Sequence, residues 1–245
     1  MNTISVDCRM AFHSGIGTYI RNIVPRVVSA LTECQFRLLI PAELKNTQLF
    51  SGNNVEIYRS KSGIYSLSEQ LELLRFARGS RGLVWSPHYI IPVFGQMQQL
   101  TVIHDTFHLS MTHYLRGYHQ KLYARLMFEV VKRRSTHIIC VSEFTASELK
   151  RHLGIPDRRV TIIHNGVDES WSSISKSAEI HPKPYIVFVG NVKPHKNVCR
   201  LMNAFTRISH KIPHDLLIVG QTKGFILPDY DAQKVATMHA DRIRI

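Results

Sequence analysis

Apolar positions along the chain alternate between short continuous runs and segments in which they recur every three or four residues. Residues 3–9 alternate weakly and predict a first strand. The next segment, SGIGTYIRNIVPRVVSAL, has helical spacing and predicts a helix, with Pro25 expected to kink it or to mark its boundary. Further strands are predicted at residues 36–40, 55–58, 83–86, 100–105, 136–142 and 160–163. Strands that alternate with helices in this way are typical of an α/β fold with a parallel sheet.

Three later segments also have helical spacing. Residues 67–76 predict a helix that ends at Gly79, and residues 144–153 predict one for which Ser142 is a suitable N-cap. Residues 114–134 combine many Arg and Lys residues with an apolar stripe, which fits either a core-facing helix with a charged outer face or a helix on anionic lipid, the former being favoured. The apolar positions are Leu67, Leu71, Leu74 and Phe76 in the first helix and Leu122, Leu126, Met127, Val130 and Val131 in the basic one.

The segment YIVFVGNVKPHKNVCRLMNAF, residues 185–205, organises the C-terminal part of the chain. Residues 186–189 form an unbroken apolar run and predict a strand buried on both faces of a parallel sheet. The run ends at Gly190, and a turn with Lys193, His195 and Lys196 leads into a helix. A strand that passes through glycine into a helix N-terminus gathers backbone N–H groups and a positive dipole, so the turn fits a phosphate site. A solvated turn is an equally good interpretation.

Residues 169–184 are rich in Ser and Pro and have no periodicity, which indicates a linker. We therefore predict an N-terminal domain over residues 1–180, with the linker at its end, and the start of a second domain over residues 181–245. Apolar runs predict further strands at 216–220 and 242–245. Because the second region is short for a doubly wound domain, the chain is expected to be C-terminally truncated.

The amino-acid composition indicates what kind of partner the protein binds. The 245 residues are 44% hydrophobic and carry 31 Lys and Arg against 18 Asp and Glu, a net charge of +13 that favours anionic partners. The cysteines, Cys8, Cys34, Cys140 and Cys199, show no metal-type spacing and are expected to be reduced. No secretory signal is evident, and no apolar run reaches the roughly 18 residues that would span a bilayer. The expected location is the cytoplasm, with peripheral binding to a membrane left open.

Glycine and histidine residues follow several of the predicted strands. Gly15 and Gly17 stand where the first strand passes into the first helix, and they fit a ligand approach or an ordinary tight turn, the turn being favoured. His104 and Asp105 end the 100–105 strand, and His88 follows the strand before it. In open α/β sheets the ligand crevice lies at the carboxyl ends of the strands. The third glycine of the dinucleotide-binding fingerprint is missing.

Taken together, the motifs resemble the large retaining glycosyltransferase family four, whose members have the GT-B architecture of two Rossmann-like, doubly wound parallel-sheet domains. The matching segments are GIGTYIRNIV (15–24), HYIIP (88–92), VIHD (102–105), CVSEFTASEL (140–149), VTIIHNGVD (160–168), FVGNVKPHKN (188–197), LMNAF (201–205) and LLIVG (216–220). They occur in the family order over nearly the whole chain. The resemblance is closest in kind to mannosyltransferase-like members, with the second domain incomplete.

The resemblance implies transfer of a sugar, mannose being one choice, from a nucleotide-diphosphate donor to a lipid-linked or polysaccharide acceptor, with retention and without a metal or other cofactor. His104 would bind the transferred sugar, and Asp105 would support it or the acceptor. Gly15, Gly17, Asn165 and Gly166 would lie at the donor, and Lys193 and Lys196 would neutralise its diphosphate. The expected partners are the nucleotide-sugar, the acceptor and an anionic membrane surface.

Two departures from the family pattern keep a second hypothesis open. Asn191 follows Gly190 where family members commonly have Arg, and the pair of glutamates that holds the donor is expected beyond Ile245. The alternative is therefore a catalytically inactive remnant or binding module of the same fold. A nucleic-acid-binding protein is not expected, because the chain has no such motif and its basic residues are scattered rather than interleaved with aromatic ones.

Overall fold

The computed structural model describes residues 2–64, 66–78, 82–114, 117–173, 181–220 and 230–245. The chain divides into two units, one formed by Met1–Ser110 and Lys121–Asp168 and the other by Met111–Gln120 and Glu169–Ile245. Each unit has its own parallel sheet and its own apolar core. The predicted boundary near residue 180 adjoins residues outside the described ranges, and it stays a prediction.

The first unit is built on a seven-stranded sheet in which every neighbouring pair is parallel. Its strands are β1 (Thr3–Asp7), β2 (Gln35–Pro41), β3 (Val55–Ser60), β4 (Leu83–Ser86), β5 (Gln98–Ile103), β6 (His137–Cys140) and β7 (Val160–Ile162). Their order across the sheet is β3-β2-β1-β4-β5-β6-β7. All seven were predicted, β1 from a weak alternation and the other six from short apolar runs, and the α/β expectation is confirmed.

Helices cover both faces of this sheet. They are α1 (Ser14–Ala30), α2 (Leu67–Arg78), the short α3 (Phe107–Ser110), α4 (Tyr118–Arg134) and α5 (Glu143–Leu153). Helix α1 leads from β1 to β2, whereas α2 and α4 lead across the sheet in the opposite direction, toward β7. Because the crossovers are right-handed, α1 lies on one face of the sheet and α2 and α4 lie on the other. All carboxyl strand ends therefore lie at one edge.

Local sequence explains the bounds of these helices. Ile20, Val24 and Val28 of α1 are buried at helical spacing, and the helix runs through Pro25, so the expectation of a boundary there is wrong. The cap predicted for α5 is confirmed, because the Ser142 hydroxyl accepts the Thr145 backbone N–H at 3.1 Å.

The predicted apolar stripes of α2 and α4 are partly wrong. Met127, Val130 and Val131 are buried as expected, but Leu71, Leu122 and Leu126 are 58%, 57% and 52% exposed. On α2 the buried leucine is instead Leu73, only 1% exposed. The reason is geometric, since each helix carries more apolar residues than the single stripe that its contact with the sheet can cover.

The second unit contains a three-stranded parallel sheet in the order β10-β9-β8, with strands β8 (Tyr185–Val189), β9 (Asp215–Val219) and β10 (Ile243–Arg244). Helices α6 (Val198–Ile208) and α7 (Tyr230–Met238) contribute Val198, Met202, Phe205 and Ala232 to its core. The prediction that residues 186–189 are buried on both faces is wrong. Strand β8 is at the edge of the described sheet, and Val187 and Val189 are 49% and 76% exposed.

No helix among the described residues is both long enough and apolar enough to cross a bilayer.

Candidate functional site

The carboxyl edge of the seven-stranded sheet collects the polar groups of the first unit. The strand order places the segments that follow β3, β2, β1, β4 and β5 side by side along this edge. Pro41 and Ser60 end β2 and β3, Arg9 follows β1, His88 follows β4, and His104 follows β5. A parallel sheet thus brings together residues that are almost a hundred positions apart in sequence.

A pocket of about 650 Å³ opens over the ends of β1, β2 and β3. One wall is the segment that leads into α1, with the aromatic ring of Phe12 and the imidazole of His13. The other walls are the segments 41–44 and 60–64, which bring the charged side chains of Glu43 and Lys61. The lining therefore combines apolar surface, hydroxyl groups and single charges of both signs, the mixture that small-molecule sites use.

Glu72 of α2 holds the 60–62 segment of the pocket wall in place. Its carboxylate accepts the Ser60 hydroxyl at 2.6 Å, the Lys61 backbone N–H at 2.7 Å and the Ser62 backbone N–H at 3.2 Å. Partial burial opposes ionisation, but these hydrogen bonds outweigh it and lower the pKa of Glu72. The wall is thus tied to a helix of the core layer.

Arg9 lies at the pocket with its guanidinium buried, because carboxylates enclose it. Its Nε and Nη2 donate to the two oxygens of Asp7 at 2.8 and 2.7 Å, and its Nη1 lies 2.8 Å from Glu69 Oε1. The Tyr123 hydroxyl donates to the other oxygen of Glu69 at 3.0 Å. Asp7, Arg9 and Glu69 are each no more than 4% exposed. We call Asp7, Arg9, Glu69, His88 and Tyr123 the buried polar network.

His88 completes this network from the end of β4. The Ile90 backbone N–H donates to His88 Nδ1 at 3.1 Å, so the ring proton is on Nε2, 3.2 Å from Asp7 Oδ2. Burial alone would raise the pKa of Asp7, but the contacts with Arg9 and His88 hold it well below its usual range. The buried carboxylate therefore stays ionised, and its charge fixes both partners.

His104, predicted to bind the transferred sugar, lies next to this network along the edge. Its Nε2 donates to the Pro87 carbonyl oxygen at 3.0 Å, and its ring meets that of Tyr19 edge-on at 4.9 Å between centroids. Burial lowers the pKa of His104, so the ring is neutral near pH 7 and Nδ1 is a hydrogen-bond acceptor. A neutral acceptor held by two neighbours suits a sugar hydroxyl.

Asp105, predicted beside it, is exposed, and its carboxylate accepts the Phe107 backbone N–H at 2.9 Å, which starts the short helix α3. The structure thus gives Asp105 a local capping contact, and its predicted role at the acceptor stays a prediction.

The two glycines at the start of α1 differ in their surroundings. A Cβ on Gly17 would lie 2.6 Å from the Ala11 carbonyl oxygen, whereas a Cβ on Gly15 would meet nothing within 4 Å. Gly17 is therefore required for the helix to pack on the preceding loop, which is a structural reason for its presence. Gly15 borders open space, where the predicted approach to the donor has room. Contact of either glycine with the donor stays a prediction.

Asn165 and Gly166 follow β7 at the same edge of the sheet, in a segment whose side chains are exposed. This segment is attached by the Ile163 N–H, which donates to the Cys140 carbonyl at 2.9 Å. Their predicted place at a strand end is observed, while donor binding stays a prediction.

Lys193 and Lys196 lie in the second unit, in the turn between β8 and α6. Lys193 is 4% exposed, and Lys196 is exposed and ends a single turn of 3₁₀ helix over Pro194–Lys196. The ends of β8 and β9 approach each other so closely here that a Cβ on Gly220 would collide with the Gly190 carbonyl oxygen. The structure therefore brings the two lysines into one turn at a carboxyl strand edge, as predicted, although only Lys196 is open to solvent.

Among the described residues, no group of three or more His, Cys, Asp and Glu side chains is arranged to hold a metal ion. The expectation that the reaction needs no metal stays a prediction.

Sequence reasoning missed most of the buried polar network. His88 was noted for its position after a strand, but Arg9, Glu69, Tyr123 and the pocket over β1–β3 were not identified. One signal was available, since the charged residues Asp7 and Arg9 stand at the end of the first strand, where a buried ion pair or a site is expected. Glu69 and Tyr123 gave no such signal, because each lies within a helix whose buried face could not be oriented from sequence.

Part of the chain is similar in sequence to known proteins. The sequence profile of Glycosyltransferase Family 4 matches residues 30–171, more than half of the chain. The O-antigen chain mannosyltransferase RfbU of Salmonella typhimurium is 26% identical over 126 residues, which are 51% of this chain and 33% of that protein. The matched part of the chain thus spans about a third of this curated relative.

Solved structures share the fold. The Anabaena protein HepE, determined in complex with UDP, superimposes with a TM-score of 0.66 at 14% identity, covering 100% of this chain and 68% of that one. A glycosyltransferase from Rickettsia africae gives a TM-score of 0.61 at 12% identity, with 100% and 68% covered. The predicted α/β fold of the GT-B type is confirmed, and the second, smaller parallel sheet is consistent with the predicted incomplete second domain.

Proposed function

Because the chain belongs to glycosyltransferase family 4, we propose that it transfers a hexose from a nucleotide-diphosphate donor to a lipid-linked or saccharide acceptor in cell-surface polysaccharide or lipopolysaccharide synthesis. The mannosyltransferase relative supports mannose as the sugar. A lipid-linked acceptor would place the reaction at the cytoplasmic face of the membrane. Retention of the anomeric configuration and independence of metal are part of the proposal.

The observation that carries the proposal is the pocket over the ends of β1, β2 and β3. Its volume, about 650 Å³, is within the range of small-molecule sites, and it lies at the carboxyl edge where α/β folds bind ligands. Phe12 offers an apolar face for a sugar ring, and Ser60, Ser62 and Glu43 offer groups for its hydroxyls. We assign this pocket to the acceptor.

His104 is proposed to orient the transferred sugar. Its neutral ring is positioned by Pro87 and Tyr19, and Nδ1 accepts a hydroxyl hydrogen of the sugar. Asp105, on the exposed side of the same turn, is proposed to support the acceptor.

Donor binding is proposed for Lys193 and Lys196 of the second unit and, separately, for Gly15, Gly17, Asn165 and Gly166 of the first. Negative charge grows on the leaving diphosphate as the glycosidic bond to it breaks, and a fixed cation stabilises that charge more in the transition state than in the ground state. The exposed ammonium of Lys196 supplies such a cation, and the α6 backbone that follows adds the positive end of a helix dipole.

Turnover of labelled nucleotide sugars, with extracted lipid-linked saccharides as acceptors, tests the proposal. We expect transfer by the wild type, a loss of kcat of about 100-fold in His104→Ala, consistent with removal of one preorganised polar contact, and a similar loss in Lys196→Ala. Lys211→Ala, an exposed lysine of the second unit that lies outside the proposed site, is the matched control. If no sugar is transferred from any donor, the proposed transferase activity is refuted.

The inactive binding module is the second outcome of the same experiment. It would lack a complete donor site and predicts neither turnover nor thermal protection by any nucleoside diphosphate. A ligand that binds only the folded state at about 100 times its Kd would stabilise it by about 2.7 kcal/mol. If the nucleoside diphosphate protects the wild type and Lys196→Ala equally against thermal unfolding, Lys196 is not part of the donor site.

A further inference from the structure

The outer faces of α2 and α4 form one amphipathic, strongly basic surface. The two helices are neighbours on the same side of the sheet, since the Tyr123 hydroxyl of α4 donates to Glu69 of α2 and Gln70 of α2 reaches Met127 of α4. Their outward faces therefore lie side by side. All the residues that carry the argument belong to the first unit.

On α2 the outward face consists of Leu71, Arg75 and Arg78, spaced by four and three residues. All three are exposed, Leu71 to 58%. The acidic residues of this helix are turned elsewhere, because Glu69 is buried with Arg9 and Glu72 holds the 60–62 segment. Apart from the small polar Ser68, the exposed face of α2 is thus apolar and cationic.

The outward face of α4 repeats this composition. Leu122 and Leu126 are 57% and 52% exposed, and Arg125 and Arg133 lie on the same face of the helix. Lys121 and Lys132 flank it. Its one carboxylate, Glu129, forms an i,i+4 ion pair with Arg133 at 2.8 Å and so does not offset the remaining cations.

We propose that this surface docks the protein on an anionic lipid bilayer. It consists of Leu71, Arg75, Arg78, Lys121, Leu122, Arg125, Leu126, Lys132 and Arg133. The charge selects the occupant, because the six cations stand against the single carboxylate of Glu129, which pairs with Arg133. With three exposed leucines they match a surface of negative headgroups over hydrocarbon, with the leucines inserting at the boundary. The inference deepens the proposed function, because a lipid-linked acceptor stays in the membrane and docking would hold the enzyme beside it.

Vesicle binding by the full chain tests the proposal without any turnover. The probes are vesicles of phosphatidylglycerol with phosphatidylcholine and vesicles of phosphatidylcholine alone, measured by co-sedimentation at low and at raised salt. We expect binding to the anionic vesicles that weakens as salt screens the charges, and none to the neutral ones.

Two double variants separate charge from apolar insertion. Arg75→Gln with Arg125→Gln is expected to lower the partition coefficient about 30-fold, since each cation near an anionic surface contributes about fivefold. Leu122→Ser with Leu126→Ser is expected to lower it more than about tenfold. The matched control is Leu49→Ser with Arg158→Gln, an exposed leucine and an exposed arginine away from this surface. All the substituted side chains are exposed, and circular dichroism checks that each variant is folded.

Equal binding of wild type and both double variants, or equal binding to neutral vesicles, would overturn the proposal. So would concentration-dependent self-association that the leucine variant abolishes while no vesicles are bound, which would assign the face to a second copy of the chain. Loss of vesicle binding with unchanged thermal protection by nucleotide would support docking separately from catalysis. Docking without transfer from any donor would refute only the proposed enzyme.

Discussion

Gly15 and Gly17 stand two positions apart at the start of α1, and the structure gives them opposite tolerances. We predict that Gly17→Ala lowers the free energy of unfolding by about 1–3 kcal/mol, since its Cβ must displace backbone rather than a flexible side chain. Gly15→Ala is expected to raise it by about 0.5–1 kcal/mol, because alanine is the better helix residue and its Cβ meets open space.

Urea denaturation of both variants measures the difference. Each variant is the other's control, as both add one methyl group to the same turn. Equal effects would mean that the loop at Met10 and Ala11 yields to the new methyl group, and that Gly17 is not needed for packing.

Asp7 is predicted to make the protein sensitive to acid. Its folded pKa is held below the unfolded value of about 3.9 by Arg9 and His88. The stabilisation is therefore complete above about pH 5 and is lost as pH falls through the unfolded value toward the depressed folded one. Asp7→Asn should cost about 3–5 kcal/mol at pH 7, because it leaves a buried guanidinium without one of its carboxylates.

Thermal melting between pH 2 and pH 7 checks this prediction. The pH dependence should be weaker in Asp7→Asn than in the wild type. Asp105→Asn, an exposed aspartate at the same edge, should leave the melting curve nearly unchanged. An identical pH dependence in wild type and Asp7→Asn would contradict the assignment.

At the scale of elements, Glu72 connects a helix to the pocket. We predict that Glu72→Gln weakens binding of a saccharide acceptor and lowers the free energy of unfolding by about 1–3 kcal/mol, because the amide cannot accept all three hydrogen bonds and its NH₂ group faces donors. The loop should become more mobile while the core stays intact.

Hydrogen exchange of Lys61 and Ser62 checks the loop directly. Glu43→Gln, which changes a pocket carboxylate with no contact to the 60–62 segment among the described hydrogen bonds, is the control. Unchanged exchange at these two amides in Glu72→Gln would show that the wall is held by other contacts.

Periodicity predicted which elements form, but not how deeply each is buried. Six of the seven strands of the first sheet were found because buried parallel strands are continuous apolar runs, and β1 was found from its weak alternation. The run at β8 has the same composition, yet it lies at the edge of its described sheet and is exposed. Leu71 and Leu73 show the same limit within one helix, since both are leucines and only the position of the sheet decides which one is covered.

The candidate site was predictable where it depends on strand ends. His104 and His88 follow apolar runs, so their place at the carboxyl edge followed from the topology of parallel sheets. Glu69 and Tyr123 could not be found in this way. Glu69 reaches Arg9 from α2, and Tyr123 reaches Glu69 from α4, so both contacts join residues far apart in sequence.

At the scale of the whole molecule, each unit has its own apolar core and its own buried ion pair. In the second unit Asp215 receives His181 Nε2 at 2.8 Å and Arg242 Nε at 2.9 Å, and the hydrogen bond from His181 is the main cause of its lowered pKa. We predict that Asp215→Asn destabilises the second unit selectively, because it leaves both basic groups without their carboxylate.

Hydrogen exchange followed by mass spectrometry separates the two units. Peptides from residues 181–220 and 230–245 should exchange at least about tenfold faster in Asp215→Asn, while peptides from residues 2–60 are unchanged. Asp231→Asn, an exposed aspartate of the same unit, is the control. Equal acceleration in both units would show that they unfold as one cooperative body.

The order of the larger sheet has a consequence for changing what the protein binds. The chain progresses in one direction from β1 to β3 and in the other from β4 onward, and an open sheet forms its crevice at such a reversal, here between β1 and β4. In this chain Asp7, Arg9 and His88 fill that reversal with their own side chains. Mutant libraries aimed at specificity should therefore randomise the loops after β2 and β3, where shape can vary without dismantling the ion pairs that occupy the centre.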